Sequence, residues 1–209
     1  MNEALVIFAR YPRLGCVKTR LNSHLSPQES LRLYQAFLLD TVERTASLRP
    51  RRFLYLGDGS RRETAEFARD HHFPADLEMR PQRGGDLGER LWNAYLDLCG
   101  RFGRIVFVGT DTPSLPLAYI TQAFEKLGQV PIAIGPVEDG GYYLLGVSES
   151  RRELFHGVDW GTGSVLQQTL DRLPKQDYVL LPAWHDVDTP ADLKRLKRDV
   201  DRGFEGFPR

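Results

Sequence analysis

Short apolar runs alternate with amphipathic segments along nearly the whole chain. The runs "ALVIFA", "RRFLYLG", "RIVFV" and "YYLLGV" are rich in branched and aromatic residues, as buried strands are. The segments between them have helical periodicity, and two of these segments begin with Ser-x-x-Glu capping boxes, at Ser26 and Ser60. This alternation predicts an α/β sandwich with a mostly parallel sheet.

The stretch "VPIAIGPVEDGGYYLLGV" contains two apolar runs separated only by an acidic Gly-Gly turn. No crossover helix fits into that interval, so at least one strand should run antiparallel. The turn is either a tight hairpin or a place where the backbone approaches a ligand. Tyr142 and Tyr143 should face opposite sides, one toward the core and one toward a pocket. With no internal repeat and no long linker, residues 1–209 are predicted to form a single domain.

Composition argues against some classes of partner. The chain has 28 basic and 28 acidic residues and a formal net charge of zero, which favours neither a nucleic-acid nor a membrane partner. Two sparse cysteines, Cys16 and Cys99, are typical of reduced thiols. The N-terminal apolar run is too short for a signal peptide, and no run reaches the ~20 residues of a membrane span. We therefore expect a soluble cytoplasmic protein.

A basic loop, "RYPRLGCVKTR", follows the first predicted strand. It carries the cations Arg10, Arg13, Lys18 and Arg20, and Gly15 permits a tight backbone path. Ligands of such sheets bind beyond the carboxyl ends of the strands, where these cations could hold phosphate. A solvated basic turn with Arg20 in a surface ion pair is the alternative. The loop has neither GxxxxGK[ST] nor GxGxxG, so it is not a standard P-loop or dinucleotide site.

Aspartates follow two other predicted strands. Asp111 ends the most apolar strand, where a carboxylate can ligate Mg²⁺ or Mn²⁺, although an aspartate in a turn has the same pattern. Asp186 and Asp188 precede the last helix, and one of them could complete a metal site. Helix capping is the alternative for this segment, because Thr189 and Asp192 have capping-box spacing.

Six short stretches occur in order over nearly the whole chain: "FARYPRLGCVKTRL", "GGDLGER", "GTDTPSL", "GPVEDGGYYLLG", "LFHGVDWGT" and "DVDTPADL". Together they resemble the GT-A, or nucleotide-diphospho-sugar transferase, superfamily, and within it a bacterial group of GT-A-like glycosyltransferases. The chain is more distantly similar to 2-phospholactate guanylyltransferase and the molybdenum-cofactor guanylyltransferases. The resemblance implies a three-layer α/β/α fold that binds a nucleotide through the first basic loop, together with Mg²⁺ or Mn²⁺.

The resemblance also implies roles for individual residues. Arg10, Lys18 and Arg20 match the phosphate-binding loop, and Gly15 lies within it. Asp86 belongs to the loop that approaches the base or ribose, as does its neighbour Gly88. One departure is that the glycine-rich "GxGTRM"-like loop of nucleotidyltransferases is replaced by a longer loop with fewer glycines.

Asp111 matches the metal-binding acid of the central strand, and Asp188 matches the second metal acid before the last helix. Here "TDT" stands in place of the Asp-x-Asp pair of many glycosyltransferases. Two reactions on a small acceptor therefore stay open, from a nucleotide or a nucleotide-sugar donor. Lys18 and the metal would stabilise phosphate charge in nucleotidyl transfer, whereas Asp139 or Glu138 would be the base in glycosyl transfer. A non-catalytic nucleotide-binding or regulatory module is the third possibility.

Overall fold

The computed structural model describes residues 2–201, which form one seven-stranded sheet with helices packed on it. The strands are β1 (Glu3–Arg10), β2 (Arg51–Gly57), β3 (Glu78–Pro81), β4 (Arg104–Val108), β5 (Ile132–Pro136), β6 (Tyr142–Val147) and β7 (Tyr178–Leu180). The helices are α1 (Pro27–Arg44), α2 (Arg61–Asp70), α3 (Leu87–Leu98), α4 (Leu117–Lys126), α5 (Val165–Leu170) and α6 (Pro190–Asp201). The prediction of one domain over residues 1–209 extends beyond the described residues and stays a prediction.

The sheet has the strand order β3-β2-β1-β4-β6-β5-β7. Strand β1 pairs in parallel with β2 and β4, and β2 pairs in parallel with β3. Strand β6 is antiparallel to both of its neighbours, β4 and β5, whereas β5 and β7 are parallel. The predicted mostly parallel sheet with an antiparallel strand is therefore confirmed.

Side chains of β1 alternate between two apolar clusters, as the two-residue period of a strand requires. Leu5 and Ile7 pack in a cluster that contains residues of α1, α2 and α4. Ala4 and Val6 pack in a second cluster that contains residues of α3. The sheet is thus covered by helices on both faces, which confirms the predicted three layers.

The structure also agrees with the predictions about the two capping boxes and the two cysteines. Ser26 and Ser60 each accept a hydrogen bond in a complete capping box, at the starts of α1 and α2. Cys16 and Cys99 are free, exposed thiols. Between residues 2 and 201 no helix has both the length and the apolar character needed to span a membrane.

The predicted loop position of Gly88 is wrong, because Gly88 lies in the first turn of α3. The helix begins early since the Asp86 carboxylate accepts the N–H of Glu89 at 2.8 Å and caps it. Gly88 is buried, and a Cβ at this position would lie 1.9 Å from the carbonyl oxygen of Phe155. Close packing against the segment that follows β6 therefore accounts for a glycine here.

We expect Gly88→Ala to lower the free energy of unfolding by about 1–3 kcal/mol, because a backbone carbonyl must move to admit the methyl group. Gly100→Ala is the matched control, since a Cβ at that exposed position meets no atom within 4 Å. Urea unfolding of both variants measures the difference. Equal midpoints for the two variants would contradict the packing account.

Candidate functional site

A cavity of about 710 Å³ opens at the sheet edge where β1, β2 and β4 have their carboxyl ends. Its wall includes the basic loop after β1, the ends of β2 and β4, the start of α3 and the start of β6. This is the edge at which ligands bind in α/β sheets. We call it the strand-end cavity.

Lys18 lies between two carboxylates at one end of the strand-end cavity. Its Nζ contacts Asp111 Oδ1 and lies 2.9 Å from Asp188 Oδ1. The Lys18 side chain is only 3% exposed, whereas the side chains of Asp111 and Asp188 are 48% and 32% exposed. We call these three residues the lysine–aspartate cluster. On its outer side, Arg20 Nη1 donates to Asp188 Oδ2 at 3.4 Å.

Local backbone geometry brings these side chains together. Lys18 has a left-handed conformation, with φ of 49°, at the start of a short 3₁₀ helix, and Gly15 has φ of 74°. The N–H of Val187 donates to the carbonyl oxygen of Asp111 at 2.9 Å, which ties the segment before α6 to the end of β4. Asp111 and Asp188 are therefore close in space although they are distant in sequence.

The Asp188 carboxylate does not cap α6. Asp192 accepts the N–H groups of Asp188 and Thr189, at 3.2 and 2.7 Å, so Asp192 is the acid that serves the start of α6. Both carboxylate oxygens of Asp188 accept hydrogen bonds from basic side chains instead.

Charges in the cluster shift the pKa of two residues. Burial alone would lower the pKa of Lys18, but the Asp111 and Asp188 carboxylates outweigh it and raise that pKa above its usual value. Burial, followed by the negative charges of Asp111, Asp139 and Asp188, raises the pKa of Asp186 to about 7. This end of the sheet therefore holds a charged ammonium and an excess of carboxyl groups.

The predicted cations differ in their positions. Arg10 and Arg20 line the strand-end cavity together with Lys18. Arg13 does not line it and pairs with Glu63 at 2.7 Å on the surface. The basic loop is therefore divided between the cavity and an exposed ion pair.

The other predicted residues lie at different places around the site. Asp86 lines the cavity while it caps α3, and Gly88 is not part of the cavity wall. Asp139 lies in the turn between β5 and β6, where Oδ1 accepts the N–H of Gly141 at 3.1 Å. Glu138, the other predicted base, forms a two-point ion pair with Arg195 of α6 at 2.8 and 3.1 Å.

Three polar residues that the sequence analysis did not identify line the cavity on the side of β2 and β3, away from Lys18. Arg90 Nη2 lies 3.1 Å from Asp58 Oδ1, and Asp58 has a left-handed φ of 62°. Gln82 Nε2 donates to the carbonyl oxygens of Ala9 and Tyr55 at 2.9 and 3.0 Å. Their positions after β2, after β3 and in α3 are the signal that could have identified them.

Tyr34 of α1 is a further residue that the sequence did not assign to the site. Its hydroxyl accepts the N–H of Arg10 at 2.8 Å and donates to the carbonyl oxygen of Arg10 at 3.0 Å. Burial raises the pKa of Tyr34 to about 12. Tyr34 lines the cavity and fixes the end of β1, where the basic loop begins.

The acids of the cluster fit a metal ion that is partly held by a ligand. Within the described residues, no three His, Cys, Asp or Glu side chains form a ready-made metal site. Asp111 and Asp188 nevertheless direct one oxygen each toward a common point. Mg²⁺ is usually bound by one or two carboxylates, with waters and substrate phosphates as its other ligands.

Comparisons with known proteins agree with this fold. Residues 41–162, more than half of the chain, match the protein family DUF2064, described as uncharacterized and conserved in bacteria. A proposed nucleotide-diphospho-sugar transferase from Desulfovibrio desulfuricans G20 has 30% identity and a TM-score of 0.90, over 97% of this chain and 90% of its own. A search of curated proteins gave no significant match.

Two more distant structures share the fold alone. A CMP:2-keto-3-deoxy-manno-octonic acid synthetase in complex with CTP has 12% identity and a TM-score of 0.58, over 97% of this chain and 99% of its own. Rv0371c from Mycobacterium tuberculosis H37Rv, in complex with manganese, has 18% identity and a TM-score of 0.56. The match to Rv0371c covers 94% of this chain and 98% of that protein.

The raised pKa of Asp186 predicts a pH-dependent stability. Between about pH 4 and pH 7 the unfolded chain ionises this carboxyl while the folded chain keeps its proton, so stability falls as the pH rises through that window. Asp186→Asn cannot ionise and should gain stability relative to the parent at pH 8 but not at pH 4, by at most about 4 kcal/mol. Urea unfolding in EDTA at both pH values measures this gain. If the free energy of unfolding changes equally with pH in parent and variant, the pKa of Asp186 is not raised.

Proposed function

The chain belongs to the DUF2064 family and has the fold of nucleotide-diphospho-sugar transferases, and from this premise we propose that it is a metal-dependent transferase with a nucleotide or nucleotide-sugar donor. The lysine–aspartate cluster at the wall of the strand-end cavity is the observation that carries the proposal. The acceptor is a small molecule, since the cavity has the volume of a small-molecule site.

The basic loop would bind the phosphates of the donor. Lys18, Arg10 and Arg20 line one end of the cavity, and ammonium and guanidinium groups are the strongest protein donors to phosphate oxygens. The Tyr34 hydroxyl forms hydrogen bonds with both the N–H and the carbonyl oxygen of Arg10, so the loop leaves β1 in a fixed direction. A loop held in this way binds phosphates with little loss of conformational freedom.

Asp111 and Asp188 would hold the metal, either Mg²⁺ or Mn²⁺. When bound, such an ion neutralises charge on phosphate oxygens and orients them. The two acids come from different elements, the end of β4 and the segment before α6, and the hydrogen bond from Val187 to Asp111 keeps those elements together. The carboxylates therefore do not need to be assembled when the donor arrives.

Nucleotidyl transfer is the reaction that this arrangement supports best. A phosphorylated acceptor would attack the α-phosphorus of a nucleoside triphosphate, and pyrophosphate would leave. Lys18 and Arg20 would stabilise the negative charge that builds up on the phosphates, which needs no covalent intermediate on the protein. Two carboxylates that meet at one point could hold a divalent cation, which would neutralise several oxygens of a triphosphate.

Glycosyl transfer is the second candidate, favoured by the name of the D. desulfuricans relative, whereas the single acid of "TDT" favours nucleotidyl transfer. In this reaction an acceptor hydroxyl would displace a nucleoside diphosphate from a sugar. Asp139 would be the base that takes the hydroxyl proton, because Arg195 already engages Glu138. Asp139 is exposed and close enough to Asp186 to influence its charge.

Product analysis with Mn²⁺ distinguishes these reactions. We expect pyrophosphate from one of the four nucleoside triphosphates and a phosphorylated acceptor. Free nucleoside diphosphate from a nucleotide-sugar would instead identify glycosyl transfer. Nucleotide binding, seen as a higher melting temperature, without either product would identify a binding or regulatory module and overturn the proposed transferase.

The role of Asp188 can be separated from that of its capping neighbour. Asp188→Asn should lower turnover about 100-fold, with partial recovery at high Mn²⁺, because it removes a charged ligand of the phosphate and metal site. Its cost in stability should stay within about 2 kcal/mol, because Asp188 is partly exposed and Asp111 still pairs with Lys18.

Asp192→Asn is the matched control, because it removes a carboxylate of the same segment that serves only the start of α6. It should lose about 1 kcal/mol of stability and keep its turnover per folded molecule. Thermal melts and steady-state rates measure both quantities. If the two variants behave in the opposite way, Asp188 is structural.

A further inference from the structure

The lysine–aspartate cluster already contains a cation. Oδ1 of Asp111 and Oδ1 of Asp188 both approach the Nζ of Lys18, whose side chain is almost completely buried. Arg20 approaches Asp188 from outside, through the other carboxylate oxygen, and is 68% exposed. Lys18 therefore occupies the point toward which the two acids converge, and Arg20 does not.

A metal ion and the ammonium of Lys18 cannot occupy that point together. A metal ion held there by Asp111 and Asp188 would take the carboxylate oxygens that now contact Lys18, and two positive charges so close would repel strongly in a buried environment. If Lys18 left first, the two carboxylates would stay unpaired until the metal ion arrived. Exchange of one cation for the other is therefore the simplest way to load this site.

We propose that Lys18 is a resident counter-cation that must leave the Asp111–Asp188 pair before a metal ion binds, so that metal and nucleotide bind as coupled ligands. The inference rests on the proposed function for the identity of the incoming ligands. It also gives Lys18 a second anionic partner, the phosphates of the donor, because Lys18 lines the cavity that the donor would enter.

The surroundings of Lys18 favour such an exchange. Lys18 has a left-handed backbone conformation, which is uncommon for a lysine, and its side chain is buried although most of the loop is exposed. Once phosphates are present, the ammonium keeps an anionic partner when it leaves the acids, and the acids keep a cationic partner. In the absence of phosphates, a metal ion would have to displace Lys18 with no compensation for the lysine. Coupling between two ligands is reciprocal, so the metal should strengthen nucleotide binding as much as the nucleotide strengthens metal binding.

Lys18→Met tests the exchange directly, because it keeps the apolar stem and removes the charge. Without nucleotide, its affinity for Mn²⁺ should exceed that of the parent by roughly tenfold, as ordinary coupling energies allow. Free Mn²⁺ is measured by electron paramagnetic resonance, with no turnover required. Addition of a nucleoside triphosphate should strengthen Mn²⁺ binding in the parent and should do so much less in the variant.

Arg13→Met is the matched control, since it removes one positive charge from the same basic loop at a residue that pairs with Glu63 on the surface and does not line the cavity. Its Mn²⁺ affinity should change by less than about threefold, because an exposed pair is largely screened. Lys18→Gln, with a neutral polar end, repeats the test if the methionine variant does not fold. If both folded Lys18 variants bind Mn²⁺ no more tightly than the parent, the proposal is wrong.

Failure of the proposed function would look different from failure of the exchange. A parent protein that binds Mn²⁺ but shows no response to any nucleoside triphosphate or nucleotide-sugar overturns the proposed function. The comparison of Lys18→Met with the parent in Mn²⁺ alone still decides whether Lys18 competes with the metal.

Discussion

The ion pairs of Lys18 with Asp111 and Asp188 connect three segments that are distant in sequence. Lys18 and Asp188 are 170 positions apart, and the contact joins the loop after β1 to the segment before α6 through the end of β4. Burial of an ammonium is favourable only when carboxylates compensate for its lost hydration. The conformation of the basic loop, and with it the wall of the strand-end cavity, depends on this compensation.

The order of the strands makes these contacts possible. Strands β1 and β4 are neighbours in the centre of the sheet and end at the same edge. Because β6 runs antiparallel between β4 and β5, the acidic turn before it, residues 137–141, reaches that edge as well. Strand β7 is parallel to β5 and delivers the segment before α6 to the same place. Carboxylates from two separate connections thus meet at Lys18, and a third connection brings Asp139 close enough to Asp186 to raise its pKa.

The features that depend on local sequence could be predicted. Capping boxes mark the starts of α1 and α2, and the short interval between two apolar runs implies the antiparallel β6. The positions of Lys18 and Asp111 after parallel strands were enough to place both at one edge, because all such strands end there. Alternation and connection length are properties of neighbouring residues, so they can be read without knowledge of the fold.

Features that depend on distant contacts could not be predicted. Position 88 needs a glycine because the carbonyl group of Phe155 leaves no room for a Cβ, and Glu138 is engaged by Arg195 from α6. Lys18 contacts Asp111 and Asp188, which belong to segments distant from it in sequence. No pattern of neighbouring residues specifies any of these contacts.

Asp186 is an unfavourable residue at this edge of the sheet. Burial and three nearby carboxylates raise the pKa of Asp186, so the folded chain holds this acid at an energetic cost. An apolar residue at the same position would avoid that cost. Proteins keep such unfavourable groups where a ligand compensates for them, and an excess of carboxyl groups is compensated by positive charge. Lys18 supplies part of that charge, and under the proposed function a metal ion would supply more.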